Sequence, residues 1–132
     1  MAAPTAEFAG AETATLWTVT MELPAAAASS TCDYVRQYIS ENLREVKRIR
    51  RVYGKLESPI YPYIWYRKHD DSRDLDPDVW ETIVRTVLEE ADGLVLWGGW
   101  KVTAPTGPLP WDENAPWWVT IKARLTDKRR TG

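Results

Sequence analysis

The fold is indicated most clearly by residues 59–97, PIYPYIWYRKHDDSRDLDPDVWETIVRTVLEEADGLVLW. The first eight residues are aromatic, β-branched or proline on both faces, which is typical of a strand buried on both sides. Asp76-Pro77 then has the cap and first-turn pattern of a helix start. Apolar residues follow at helical spacing: Trp80, Ile83, Val84, Val87, Leu88 and Ala91. The run Gly93–Trp97 is short and fully apolar, so the stretch predicts two parallel strands joined by a right-handed helical crossover.

The same alternation of predicted strands and helices continues before and after this unit in the sequence. A β-rich run, 15–23, precedes a helix predicted from about Cys32 to Tyr53, which Ser30 or Thr31 can cap. On the other side, Asn114 can cap a last helix that reaches Leu125. The predicted fold class is therefore α/β, with the order β-α-β-α-β-α and a small parallel sheet. We expect one domain over 15–125, a flexible arm over 1–14 and a flexible basic tail over 126–132.

Composition excludes several classes of protein. The 132 residues fit one domain, and 44% hydrophobic with 27% charged residues is typical of a globular chain. The formal net charge of -2 gives no general case for nucleic-acid binding, and acidic residues interleave with the basic stretch 47–51. No apolar run suits a membrane span and no signal peptide is apparent, so we expect a cytoplasmic protein. With one cysteine and one histidine, no metal site or other cofactor is predicted.

Tryptophan and tyrosine are unusually frequent, with eight Trp and six Tyr against one Phe. Both side chains combine a large apolar face with a polar group. Such a surplus indicates a surface for a flat ligand such as a sugar, a protein interface, or simply an aromatic core. Composition leaves these alternatives open.

Two segments carry a resemblance to a known family: PIYPYIWYRKHDD (59–71) and ADGLVLWGGW (91–100). They resemble the last two strands of a hyaluronidase-like (β/α)8 glycoside hydrolase barrel. In that family a Pro- and Tyr-rich seventh strand precedes a helix, and the eighth strand places its Trp at the sugar site. The resemblance covers about 15–125, as strands six to eight, and implies a carbohydrate site that includes Trp97.

The sequence departs from that family in its acidic residues. Those enzymes carry an Asp-x-Glu pair at the end of the fourth strand, and nothing in this sequence corresponds to that strand. The resemblance therefore implies the C-terminal part of a barrel without its catalytic half. Hydrolysis and binding without catalysis both stay open.

Candidate site residues lie where the predicted strands end, because ligands of parallel sheets bind at the carboxyl edge. Glu22 and Asp70 form the best available acid/base pair, since glycoside hydrolysis needs two carboxylates about 5 to 10 Å apart. The simpler interpretation of Glu22 is a solvated carboxylate at a strand end. Substrate-binding residues are predicted at Tyr63, Trp65, Arg67, His69, Trp97 and Trp100, although the tryptophans could instead pack in the core.

Two functions follow from these observations. The first is a glycoside-hydrolase-like domain that binds an oligosaccharide in an aromatic cleft. The alternative is a non-enzymatic interaction protein, built from a barrel fragment, that self-associates or binds a protein partner. A parallel sheet of three strands has two bare edges, so we expect a homo-oligomer, most simply a two-fold dimer.

Overall fold

The computed structural model describes residues 16–24, 27, 30–68, 73–97 and 112–131. The elements follow in the order α1 (Cys32–Val52), β1 (Tyr63–Ile64), α2 (Pro77–Glu90), β2 (Val95–Leu96) and α3 (Pro116–Thr131). The predicted arm 1–14 lies outside the described residues. Within the described ranges, no helix is long and apolar enough to cross a membrane, and no group of His, Cys, Asp and Glu suits a metal ion.

The sheet is parallel throughout, which confirms the α/β class. β1 pairs with β2 in the register Tyr63 to Val95 and Ile64 to Leu96. On its other side β1 meets residues 16–24, here called the first segment, through parallel bridges from Trp17 to Ile60 and from Thr20 to Tyr63. The spatial order is therefore first segment, β1, β2, with β1 in the centre.

The regular strands are shorter than the sequence predicts. Pro62 stands in the central strand, where its carbonyl accepts from Val95 N at 2.8 Å but its ring nitrogen has no proton to donate to the ladder. At the start of the strand, the Asp92 carboxylate takes the place of a ladder carbonyl and accepts from Ile60 N at 2.8 Å. These two departures from the regular hydrogen-bond pattern limit the β1–β2 ladder to two residue pairs.

Helix α1 begins and ends as its sequence predicts. The Thr31 hydroxyl accepts from Tyr34 N at 3.2 Å, which satisfies one of the free amides of the first turn. Gly54, with φ of 66°, follows the helix in the left-handed conformation that glycine adopts most readily. The helix buries Val35, Ile39 and Leu43, all on one side.

Helix α2 is the central helix and packs against α1 on one side and α3 on the other. Proline stands in its first turn, as predicted. Eight of its fourteen residues are buried: Val79, Trp80, Thr82, Ile83, Val84, Thr86, Val87 and Leu88. Burial on several sides accounts for the high share of apolar residues in this helix.

Helix α3 is longer than predicted. Residues 126–131, expected as part of a flexible basic tail, form its last turns. The Lys128 ammonium donates to the carbonyls of Leu88 at 2.7 Å and Ala91 at 3.2 Å, at the C-terminal end of α2. A cation is favoured there because the last carbonyls of a helix carry partial negative charge. The contact gives the basic residues a structural role that sequence spacing does not show.

Side chains alternate between the two faces of the sheet, and the described helices cover one of them. The buried layer beneath the helices contains Ile64 of β1, Ile60 and Pro62 just before β1, and Met21 and Leu23 of the first segment. The opposite face, here called the open face, is partly exposed: Leu16, Tyr63 and Trp97 are 45%, 38% and 39% accessible. The described residues thus form two layers, helices on sheet.

A substitution at Gly93 would test how closely the open-face side chains of neighbouring strands pack. A Cβ at this position would lie 3.0 Å from Cδ1 and Cε1 of the Tyr61 ring. Gly93→Ala should lower the free energy of unfolding by about 1–2 kcal/mol, because the ring has to move. Urea unfolding would measure this change.

Gly54→Ala provides the matched control for Gly93→Ala. A Cβ at Gly54 meets nothing within 4 Å, so its cost comes from the positive φ alone. In a Tyr61→Leu background, the cost of Gly93→Ala should fall while that of Gly54→Ala stays the same. An unchanged cost for Gly93→Ala would contradict the contact.

Candidate functional site

The open face carries the side chains that alternate with the buried ones. The first segment contributes Leu16, Thr18, Thr20 and Glu22; β1 and its flanks contribute Tyr61, Tyr63 and Trp65; and β2 with its flanks contributes Gly93, Val95 and Trp97. Because the three segments are parallel, the last residue of each set lies at the same edge. That edge brings together Glu22, Trp65 and Trp97.

Two tryptophans form the centre of this edge. The rings of Trp65 and Trp97 stack with their centroids 5.4 Å apart and their planes inclined by 24°. The Trp97 indole N–H donates to a carboxylate oxygen of Glu22. The hydrogen bond crosses the central strand, so it links the first segment to β2. Stacking and hydrogen bond together hold the Trp97 ring in one orientation on a face that is otherwise partly exposed.

Three residues predicted for the site are therefore in contact, and a fourth is near them. Trp97 contacts both Glu22 and Trp65, while Tyr63 lies two positions before Trp65 on the same face. A carboxylate beside a partly exposed indole can bind a ring-shaped polar ligand, because it offers hydrogen-bond acceptors next to apolar surface.

Arg67 follows β1 but is engaged by its own neighbours. Residues 66–68 pair with 73–75, through Lys68 N to Arg73 O at 2.8 Å and Leu75 N to Tyr66 O at 2.9 Å. The Arg67 guanidinium forms an ion pair with Asp74, Nε to Oδ1 at 3.5 Å, and lies 5.3 Å from the centroid of the Tyr66 ring. Its side chain is only 15% accessible. These contacts give Arg67 a local structural role, and its part in ligand binding stays a prediction.

His69, Asp70 and Trp100 lie outside the described residues. The described geometry of the site therefore includes Glu22 but not Asp70. Catalysis by this pair stays a prediction.

A second aromatic cluster lies on the helix side of the sheet. The Tyr66 ring stacks on Trp117, with centroids 4.5 Å apart and planes inclined by 9°, and meets Trp80 edge-on at 6.3 Å. Trp80 is 3% accessible and donates from Nε1 to the Trp117 carbonyl at 3.0 Å. These aromatic residues join α2, α3 and the end of β1. Trp80 and Trp117 therefore contribute to packing between these elements.

Arg48, in the basic stretch of α1, lies on a solvated part of the helix. Arg48 donates to both carboxylate oxygens of Glu45, at 2.9 and 2.6 Å, and both side chains are exposed. This hydrogen bond lowers the pKa of Glu45 and raises that of Arg48. A basic residue paired within its own helix does not mark a phosphate-binding surface.

Comparison with known proteins supports the fold. No protein-family model and no curated protein matches the sequence. Among solved structures, one crystal structure of bee venom hyaluronidase is similar over 67% of this chain and 28% of that enzyme, with 23% identity and a TM-score of 0.58. A second structure of bee venom hyaluronidase, in complex with a hyaluronic acid tetramer, is similar over 90% of this chain and 32% of the enzyme, at 20% identity and a TM-score of 0.56.

These likenesses show a hyaluronidase-like fold, as the two sequence motifs imply. The chain spans about a third of the enzyme's length. Sequence identity at this level supports a shared fold, and function depends on the residues of the site itself.

The two aromatic clusters differ in what they contribute to stability. Glu22→Gln should change the free energy of unfolding by less than about 0.5 kcal/mol, because the amide oxygen still accepts from a partly exposed indole. Trp80→Phe should cost about 1–3 kcal/mol, because the hydrogen bond from the indole to the Trp117 carbonyl is lost and the core loses volume. Urea unfolding of both variants would measure the difference. Equal costs would contradict the assignment of one cluster to the surface and the other to the core.

Proposed function

We propose that this domain binds an oligosaccharide on the open face, at the edge formed by Glu22, Trp65 and Trp97. The observation that carries the proposal is the stacked indole pair beside a carboxylate on an exposed part of the sheet. We further propose that the chain corresponds to strands six to eight of the barrel, with Trp97 at the sugar site that the resemblance implies.

The chemistry of the site suits a sugar. The C–H face of a pyranose ring packs on an indole, and its hydroxyls donate to carboxylate oxygens. Neighbouring strands lie about 4.8 Å apart, so Trp65 and Trp97 present adjoining aromatic surface across two strands. Tyr63 adds a hydroxyl on the same face. The bee venom enzyme, which shares this fold, has been crystallised with a hyaluronic acid tetramer, and this supports an oligosaccharide as the class of ligand.

Binding is better supported than hydrolysis. Glu22 is the only carboxylate among the open-face residues that the structure describes on the three parallel segments. A glycosidase needs a second carboxylate about 5 to 10 Å away, which Asp70 would have to supply. In that case Glu22→Gln and Asp70→Asn would each abolish hydrolysis, whereas binding alone requires no such pair.

Tryptophan fluorescence tests the proposed binding. Titration with oligosaccharides should change the emission saturably, and Trp97→Ala should weaken binding about tenfold, because loss of an aromatic contact worth about 1.4 kcal/mol corresponds to that factor. Tyr34→Ala is the matched control, since Tyr34 is an aromatic residue 51% accessible on α1. Unchanged emission with neutral, cationic and anionic oligosaccharides at millimolar concentration would contradict the proposal.

A second candidate function, self-association, is favoured by the outer edge of the first segment. Trp17, Val19 and Met21 direct their backbone groups to β1, as in Trp17 N to Pro59 O and Met21 N to Tyr63 O, both at 2.8 Å. The alternating residues Thr18 and Thr20 therefore direct their N–H and C=O groups outward. No other strand among the described residues covers this edge. We propose that a second copy pairs with it across a two-fold axis.

Light scattering tests the dimer. The measured mass should be at least twice the 15.1 kDa of the chain at micromolar concentration. Thr20→Pro should return it to the monomer mass, because proline removes an outward N–H from the edge. Thr20→Val keeps that N–H and should remain dimeric. A monomeric wild-type protein that unfolds cooperatively would contradict the proposal.

A further inference from the structure

We infer that one face of α1 binds a linear, sulfated polysaccharide through a row of basic side chains. Residues three or four positions apart share one face of a helix. On α1 such a face, here called the basic row, consists of Arg36, Ser40, Arg44, Lys47 and Arg51. It belongs to the helix layer and not to the open face of the sheet, so the inference goes beyond the proposed function.

The helix separates charges that alternate along the sequence. The acidic residues between positions 36 and 51 fall in the neighbouring row, at positions 37, 41, 45 and 48, together with their partners. Gln37 donates to Glu41 at 3.0 Å, and Arg48 donates to Glu45 at 2.9 and 2.6 Å. Both carboxylates are therefore engaged within their own row, and the guanidinium of Arg48 balances the charge of Glu45.

The cations of the basic row are available to a ligand. Three of them are exposed and the last is half-buried: Arg36, Arg44, Arg51 and Lys47. In the part of the chain that the structure describes, no ion pair engages these four side chains. An unpaired surface cation gives up no intramolecular partner when it binds an anion.

Two acidic residues border the basic row. Asp33 precedes it in the first turn of α1, and Glu90 of α2 accepts from Ser40 Oγ at 2.5 Å. Two carboxylates against four cations leave a net positive charge along the row. With a rise of about 1.5 Å per residue, the row from Arg36 to Arg51 is about 22 Å long. This length suits an extended ligand with several negative charges.

The narrowness of the row favours a single polyanionic chain over a membrane. A flat anionic membrane would also meet the acidic residues beside the row, which would be repelled. A single-stranded nucleic acid gains much of its affinity from bases that stack on aromatic side chains, and the basic row contains none. A sulfated polysaccharide carries its charges on the sugar rings themselves, and guanidinium groups bind oxyanions of this kind through paired hydrogen bonds.

The experiment titrates the full chain with a heparin octasaccharide in a calorimeter. Binding should occur at low salt and weaken as salt is added, because exposed charges are screened. Three comparison ligands identify the partner: the desulfated octasaccharide, an oligothymidylate of matched total charge, and vesicles that contain phosphatidylserine. The first two should bind at least about threefold more weakly than heparin. The vesicles should leave the protein in solution when they are sedimented.

Two double variants locate the effect. Arg44→Gln with Lys47→Gln removes two neighbouring charges from the basic row and should weaken heparin binding about fivefold to tenfold. Arg129→Gln with Arg130→Gln is the matched control, because it removes two charges from exposed residues of α3 and lowers the net charge equally. The control should change the affinity by less than about twofold. Thermal unfolding should be similar for both variants, and the fluorescence titration of the open face should stay unchanged.

The outcomes either support the basic row or overturn it. Absence of heparin binding at low salt, or an equal loss of affinity in both double variants, would overturn the inference. Equal binding of the desulfated octasaccharide would show that charge is not recognised, and tighter binding of the oligothymidylate or the vesicles would overturn the choice of partner. None of these results bears on the open face, whose ligand is tested by its own titration.

Discussion

The shared hydrophobic core between the helices and one face of the three parallel segments is the constraint on which the rest of the structure depends. The buried residues of α2 belong to this core together with Ile64 of β1 and Ile60, which precedes β1. α1 and α3 pack on either side of α2 and extend this layer. Because side chains of a strand alternate, every residue buried against α2 leaves its neighbour on the opposite face. Burial of one face of the sheet in the core therefore defines which side chains lie on the open face.

Polar contacts align the same elements at both ends of the sheet. At the amino end, the Asp92 carboxylate accepts from Ile60 N at 2.8 Å, and the Arg50 guanidinium lies 3.9 Å from that carboxylate. At the carboxyl end, the Trp97 indole bonds to Glu22 across the central strand. The first contact lies where parallel sheets are built for stability, and the second lies where they bind ligands. The candidate site therefore depends on the strand register that the core and Asp92 maintain.

The division of the aromatic residues connects the fold with the proposed function. Trp80 and Trp117 join two helices to the end of β1, whereas Trp65 and Trp97 stack on the open face. The bee venom enzyme shares the fold over about a third of its length. Packing and the proposed binding use different faces of the strands, so the shared fold does not by itself decide the function.

The sequence by itself determined the helices, the parallel strand order and the α/β class, because helical spacing, Asp76-Pro77, Thr31 and Gly54 act through local geometry. It also placed Glu22, Trp65 and Trp97 at strand ends. Only the tertiary structure decided which tryptophans are core and which are surface, since an indole suits both and the choice depends on register. The same holds for the shortened strands at Pro62 and for the helical residues 126–131, whose Lys128 contacts carbonyls about forty positions earlier in the chain.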